Sequence, residues 1–517
     1  MKEPPDLPQP PSTRAEDLAH TVTAYSGVNI GEKPSGVRTI SGVGTSITAF
    51  VGWAAQGPTN RAQRILSFQD FVLHFGGLDR RSLLGYGVQH FFANGGRDAY
   101  VIRLTADDAV TAAVTVDAKL IVSAGSPGAW ANDYRIETKQ GSSEAARFCL
   151  SVLFQPSGLP AVLVEHFEGL SMQETDRRFV KSVVNAESSY VKVELIGTPT
   201  TPPANTAAAC FTTAGVDGTP LNPNEAAFES KLDPVAKDGG LYLLDRVDLF
   251  NVLCVPGETT ATVVASLQKY CRDRRAFLIV DSPKGATLSE MRSAPSPTVV
   301  GAHAQNSALY FPWVEAADPL DENHVRAFPP CGFVAGIYAR TDSTRGVWKT
   351  PAGIEFAVTG AVGTDVPLID KENTTLNQRG VNCIRTFPVY GTVVWGGRTL
   401  HGDDRLASEW KYVPVRRLAL FIEESLVRGT RWVVFEPNDE PLWSEVRLNV
   451  GAFMHDLFRQ GALQGISPRA AYFVKCDRNT MTQNDISGGV VNIVVGFAPL
   501  RPAEFVVIKI QQMAGHV

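Results

Sequence analysis

Four runs in this chain are apolar at nearly every position: "SITAFVGWA" from Ser46, "DAYVIRL" from Asp98, "AFLIVDSP" from Ala276 and "SALYFPWV" from Ser307. A strand of that kind must be covered on both faces, which calls for a sheet layered between helices, since a sheet with one wet face alternates apolar and polar side chains. Helical patterns stand beside the runs, in "SFQDFVLHFGG", "LLGYGVQHFFANGG" and "TATVVASLQKYCRDR", the first two closed by glycines. The chain therefore reads as an α/β layer.

That texture breaks between about 105 and 235. There the sequence turns to Ala, Val, Thr, Ser, Gly and Pro, with short strand-like runs ("RFCLSVLF", "PAVLVEHFE", "YVKVELIG") parted by turn residues. The α/β pattern resumes with "LFNVLCVPG", so one α/β domain, 45–104 plus 236–389, is expected to be split around a β-rich insertion at 105–235. A C-terminal α+β domain follows at 390–503. It opens with "YGTVVWGGRTL", continues through the helix "VPVRRLALFIEESLVRG", the strand "RWVVFEPND" and another helix, and closes on strands "AAYFVKC" and "VNIVVGF".

The ends differ from the body. Residues 1–20 are proline-rich and polar and are expected to be a disordered leader. Residues 21–44 form an N-terminal arm with a short strand at Val28 and Ile30. At 504–517, "EFVVIKIQQM" puts Phe505, Val507 and Lys509 on one strand face and Val506, Ile508 and Ile510 on the other. Such a strand wants neighbours on both sides, although chain ends usually fray or lie at a sheet margin.

Bulk composition excludes several classes. A formal charge of −5 over 517 residues leaves no basic stripe for nucleic acid, and no window offers the roughly 18 uncharged apolar residues of a membrane span. The seven cysteines are scattered without a Cys-x-x-Cys pair, which reads as buried free thiols in the cytoplasm. No Gly-Lys pair exists to complete a phosphate loop, no His-Glu-x-x-His occurs, and no serine is flanked as in a nucleophile elbow. Asp281, ending "FLIVD", imitates a Mg²⁺-holding strand end, and it reads better as a strand-end turn or helix cap. No catalytic residue, cofactor or metal is assigned. In the last helix, Leu442, Val446, Val450, Phe453 and Leu457 make one apolar stripe beside a second of Arg447, Gly451, His455 and Arg459. The second stripe is either a solvated face or a docking face for an acidic partner.

The N-terminal "SGVNIGEKPSGVRTISGVGTSITAFVGWAAQGP" and "FFANGGRDAYVIRL", the central "LLDRVDLFNVLCVPG" and "GFVAGIYARTDSTRGVWKTPAG", and above all "EWKYVPVRRLALFIEESLVRGTRWVVFEPNDEPLWSEVRLNVGAFMHDLFRQGALQG" resemble contractile tail sheath proteins of phages and phage-like extracellular injection particles. The resemblance implies a structural subunit without enzymatic activity, assembled in the cytoplasm and then part of a phage tail or of a released particle. Its partners would be other sheath subunits in stacked rings or a helix, an inner tube protein, and baseplate and terminal cap proteins. It further implies that both arms cross to neighbouring subunits and complete a shared sheet, that the insertion projects outward, and that the helix of Arg447, His455 and Arg459 faces the tube. The other readings are a non-contractile shell or tube protein, and an enzyme with a cryptic site in the split α/β domain, to which Asp281 is the only pointer.

Overall fold

The computed structural model describes residues 38–141 and 146–504. The expected leader, the strand at Val28 and Ile30, and the strand of Phe505 to Ile510 lie outside the described residues.

The chain enters β1 (Thr48–Trp53), then β2 (Gln63–Ile65), helices α1 (Phe68–Phe75) and α2 (Leu84–Ala93), and β3 (Ala99–Leu104). All six residues of β1 are buried, as its nearly continuous apolarity demands. Ser67 caps α1 by accepting the Asp70 N–H through its hydroxyl at 3.1 Å, and Gly76 closes the helix.

Between β3 and the next strand of the main sheet the chain builds two small antiparallel sheets. One has the order β4 (Ala113–Val116), β5 (Leu120–Ala124), β9 (Val191–Leu195). The other has the order β10 (Thr206–Cys210), β6 (Tyr134–Gln140), β7 (Phe148–Phe154), β8 (Val162–Leu170). With helix α3 (Val180–Glu187) they enclose their own apolar core, including Val122, Phe148, Leu150 and Val184. Helix α4 (Ala226–Leu232) leads back.

The main layer continues through β11 (Val252–Cys254), α5 (Ala261–Asp273), β12 (Phe277–Asp281), α6 (Leu288–Ser293), β13 (Ser307–Phe311), β14 (Val314–Ala317), β15 (Val325–Phe328), α7 (Cys331–Arg345), β16 (Ala361–Thr364), α8 (Asp370–Gln378), β17 (Val381–Phe387) and β18 (Gly391–Val394). The eight-stranded sheet has the order β18-β17-β13-β12-β11-β1-β3-β2, parallel from β17 to β3 with an antiparallel strand at each edge. One face packs Val51, Leu253 and Leu278 with α5, and the other packs Phe50, Val252 and Ile279 with α2 and α7. Helices α2 and α7 meet backbone to backbone: a Cβ on Gly332 would lie 2.3 Å from the Gly87 carbonyl oxygen, so only glycine permits the contact.

Two expectations are corrected here. "SALYFPWV" is two strands, because Pro312 offers no N–H to continue the ladder; β14 leaves to pair with β15 and β16 in a three-stranded sheet. The boundary expected at 389/390 falls inside the β17–β18 hairpin, both strands of which belong to the main sheet.

The C-terminal part holds α9 (Val413–Gly429), α10 (Glu440–Arg459), α11 (Pro468–Ala471), β19 (Tyr472–Lys475), α12 (Gln483–Ser487) and β20 (Val494–Phe497). Val413 and Leu420 of α9 pack into the main layer, while Leu418 and Ile422 pack with α10 into a separate core, so α9 joins the two. The expected strand "RWVVFEPND" is a short 3-10 turn, Arg431–Val433, followed by loop. Trp432 and Val433 cover the C-terminal core from that turn, whereas Val434 and Phe435 project into solvent and find no ladder partner among the described residues.

Candidate assembly site

Helix α10 begins at Asp439, whose carboxylate accepts the Leu442 N–H, with Pro441 in its first turn. Leu442, Val446, Val450, Phe453 and Leu457 are all buried, as their spacing predicts. The neighbouring stripe divides. Arg447 is half-buried and already engaged: it donates to Glu440 Oε1 at 2.7 Å and to the carbonyl of Cys476, fastening α10 to the end of β19. His455 is exposed, with its Nδ1 3.4 Å from the Tyr472 hydroxyl. Arg459 is exposed in the last helical turn, where a cation complements the helix dipole, and it pairs with no acid among the described residues.

Behind α10 lies a sheet of only two strands, with Tyr472 opposite Phe497, Phe473 opposite Gly496, Val474 opposite Val495 and Lys475 opposite Val494. Tyr472, Val474, Val495 and Phe497 pack on the C-terminal core. The other face shows Phe473, 49% exposed, and Val494, 45% exposed. Phe473 lies across Gly496, where a Cβ would come within 2.3 Å of its ring. Each strand has one ladder partner among the described residues, and among these no strand lies along the outer N–H and C=O groups of either edge.

The root of the N-terminal arm reaches helix α9, and that of the C-terminal arm reaches residues that precede it. Ile40, within the stretch expected as the N-terminal arm, is buried in the C-terminal core against Gly429 at the end of α9, and Val43 N–H donates to Ser425 Oγ at 3.2 Å. Glu504, the last described residue, meets Arg398, Lys411 and Tyr412 just before α9 begins. No local pattern announces these contacts, because they join residues far apart in the chain.

The main layer has a cleft of about 300 Å³ at the carboxyl ends of β1 and β11, where the chain order of the parallel strands reverses. Three of its cations are paired with acids outside its lining: Arg81 with Asp79 at 2.7 Å and Asp217 at 3.0 Å, Arg80 with Asp321, and Arg326 with Asp318 at 3.3 Å. Asp281 is buried at the end of β12. Its oxygens accept the Gly257 N–H at 2.9 Å and the Cys331 N–H at 2.7 Å, the latter capping α7. Burial pushes its pKa up to about 6 against the pull of these donors. Its two hydrogen bonds match the cap expected of it. All seven cysteines are free thiols, five of them buried.

Comparison with known proteins joins these features. Residues 246–400 match the family described as "Phage tail sheath protein central domain" and residues 407–513 match "Phage tail sheath C-terminal domain", together just over half of the chain. A Pseudomonas aeruginosa protein described as a prophage major tail sheath protein is 27% identical over 273 residues, covering 51% of this chain and 66% of that protein. The tail sheath protein of Salmonella phage ViI is 26% identical over 276 residues, 49% of this chain and 42% of its own. That of Vibrio phage KVP40 is 28% identical over 133 residues, 26% of this chain and 19% of its own. The chain thus spans less than two thirds of these relatives' lengths. Similar folds occur in the contracted sheath of the PVC extracellular contractile injection system (TM-score 0.58, 23% identity, 95% of this chain and 99% of that one). They occur also in the contracted helical sheath of the anti-feeding prophage (TM-score 0.58, 24% identity, 95% and 100%) and a Listeria innocua sheath tail protein (TM-score 0.60, 14% identity, 89% and 96%).

Proposed function

This chain belongs to the phage tail sheath family, and from that premise we propose that it is the subunit of a contractile sheath. It polymerises around an inner tube in an extended state and shortens cooperatively to drive the tube through a target envelope. It performs no catalysis: the work comes from the difference between two packings of the same subunits, a few kcal/mol each, summed over a coupled array. Assembly takes place in the cytoplasm, on a baseplate and beneath a terminal cap, before the particle is used or released.

The observation that supports this most is the β19–β20 sheet, in which each strand has one ladder partner among the described residues. A strand from the N-terminal arm of one neighbour, around Val28 and Ile30, and one from the C-terminal arm of another, Phe505 to Ile510, extend it by strand addition. Main-chain hydrogen bonds then hold neighbours together while the tethers allow rotation. On α10, Arg459 and His455 are offered to acidic residues of the tube, and Arg447 acts within the subunit. The insertion at 105–235 lies on the outside of the cylinder.

The test is co-production with the particle's tube protein, followed by negative-stain imaging. Full-length chain should give striated cylinders in long and short forms, and chain truncated before Phe505 should give none. Cylinders of normal length from the truncated chain would rule out the arm exchange.

A further inference from the structure

The segment after β20 is held at two points. Ala498 N–H donates to the Ala471 carbonyl at 2.8 Å and its carbonyl accepts from Gln464 at 2.9 Å, with a bridge between Leu463 and Pro499. Residues 500–503 then make no backbone hydrogen bond to other described residues, and Leu500, Arg501 and Ala503 are exposed. At Glu504 the chain is caught again. Arg398 donates Nε to Oε1 and Nη2 to Oε2, both at 2.6 Å, in a fork-to-fork pair. Tyr412 Oη at 3.3 Å and Asn377 Nδ2 at 3.4 Å complete the ring, and Lys411 Nζ lies 3.7 Å away.

The receiving site is built in advance. The Arg398 side chain is 1% exposed, and its backbone N–H and carbonyl are both bound to the Asn382 amide of β17 at 2.7 Å. Its remaining nitrogen, Nη1, donates to the Gly402 carbonyl at 3.1 Å and to Asp404 at 3.0 Å. The fork is therefore fixed by the main sheet and aimed at a carboxylate 106 residues further along the chain. Fixed, buried, bidentate pairs of this kind confer geometric specificity as well as strength.

We propose that the Arg398–Glu504 pair is a clasp that straps residues 498–504 between the C-terminal core and the β17–β18 edge of the main sheet, and thereby sets where the arm beyond 504 leaves its own subunit. Its role in assembly rests on the sheath reading above. Tension applied to the arm by a neighbour enters the subunit at the clasp and passes directly into the eight-stranded sheet. Without the clasp, the same tension acts first on the four unbonded residues 500–503.

The test uses full-length protein with Glu504→Ala and with Glu504→Gln, the second retaining shape while removing charge. Thermolysin cleavage at Leu500 of the soluble subunit is followed by intact mass, and cylinder formation with the tube protein by negative stain. The loss of a charge-assisted fork should raise the open fraction of the strap, and so the cleavage rate, about tenfold or more. The melting transition of the body should stay in place, and cylinders should be short or absent. Unchanged cleavage at Leu500 in both variants would overturn the clasp. Faster cleavage with cylinders of normal length and normal contraction would overturn its role in setting the arm's exit. If wild-type chain itself forms no cylinder, the sheath reading fails instead, and the cleavage comparison still decides whether the clasp exists.

Discussion

Helix α9 receives the root of the N-terminal arm and joins the two cores, so its attachment to the main layer is the joint to perturb. Arg417 of α9 pairs with Asp342 of α7 through two hydrogen bonds of 2.8 and 2.6 Å, and each side chain is 3% exposed. The same guanidinium donates to the Thr45 carbonyl at 2.9 Å and lies 4.5 Å from the centre of the Tyr338 ring. Replacing it by methionine keeps the stem and volume but strands the Asp342 carboxylate in a dry site. Breaking a buried pair from one side costs about 3–5 kcal/mol, and the orphaned Thr45 carbonyl adds about 1 kcal/mol. Arg417→Met should therefore lose about 4 kcal/mol or more in urea denaturation, a large share of ordinary domain stability. Asp342→Leu alone should cost a similar amount by stranding the arginine, and the double variant should cost less than either, because no uncompensated charge remains. A loss below about 1 kcal/mol for Arg417→Met, or strict additivity in the double variant, would refute the reasoning.

Further predictions concern the surface helix, the strap and the buried aspartate. Arg459→Glu should leave the melting temperature of the subunit within the scatter of surface substitutions, about 0.5 kcal/mol, yet reduce sheath growth on the tube. Arg447→Glu should instead lower subunit stability by about 1–3 kcal/mol, because it sets like charges at Glu440 and deprives the Cys476 carbonyl of its donor; thermal melts separate the two. Burial works to raise the Glu504 pKa, but the hydrogen bonds and charge of Arg398, with Lys411, hold it below the ordinary 4.5. A depressed carboxylate stabilises fully above its unfolded value and loses that contribution as pH falls through the folded one. With Arg398, Lys411, Tyr412 and Asn377 facing it and Asp404 bound to the same guanidinium, strap cleavage by the acid protease pepsin should rise in wild type towards that of Glu504→Gln only below pH 4.5, and Glu504→Gln should lack that step. Asp281→Ala leaves the N–H groups of Gly257 and Cys331 buried without acceptors and should cost about 2–5 kcal/mol, read by denaturant titration.

The legible parts of this chain were those with a one-dimensional signature. Strand β1, the capped helix α1 and the stripe of α10 each declare themselves by local pattern, and the structure has all three. Helix α7 has no legible pattern because residues 331–339 are all buried, so no polar face marks its period. The run "RWVVF" shows the converse: apolar residues suited to a strand form a turn and have no ladder partner among the described residues. In the candidate site, the charge row on α10 was visible, but only packing reveals that Arg447 is spent inside the subunit and Arg459 is not. The pairs Arg398–Glu504 and Arg417–Asp342 join residues too distant in sequence for any pattern to connect.

Strand exchange between subunits is tested most directly by an electron cryomicroscopy map of the assembled cylinder. It should show β19–β20 widened to four strands, with one added strand traced to the N-terminal arm of one neighbour and the other to the residues after Glu504 of a second. A cylinder in which β19–β20 remains a pair, or in which both added strands come from the same chain, would contradict it.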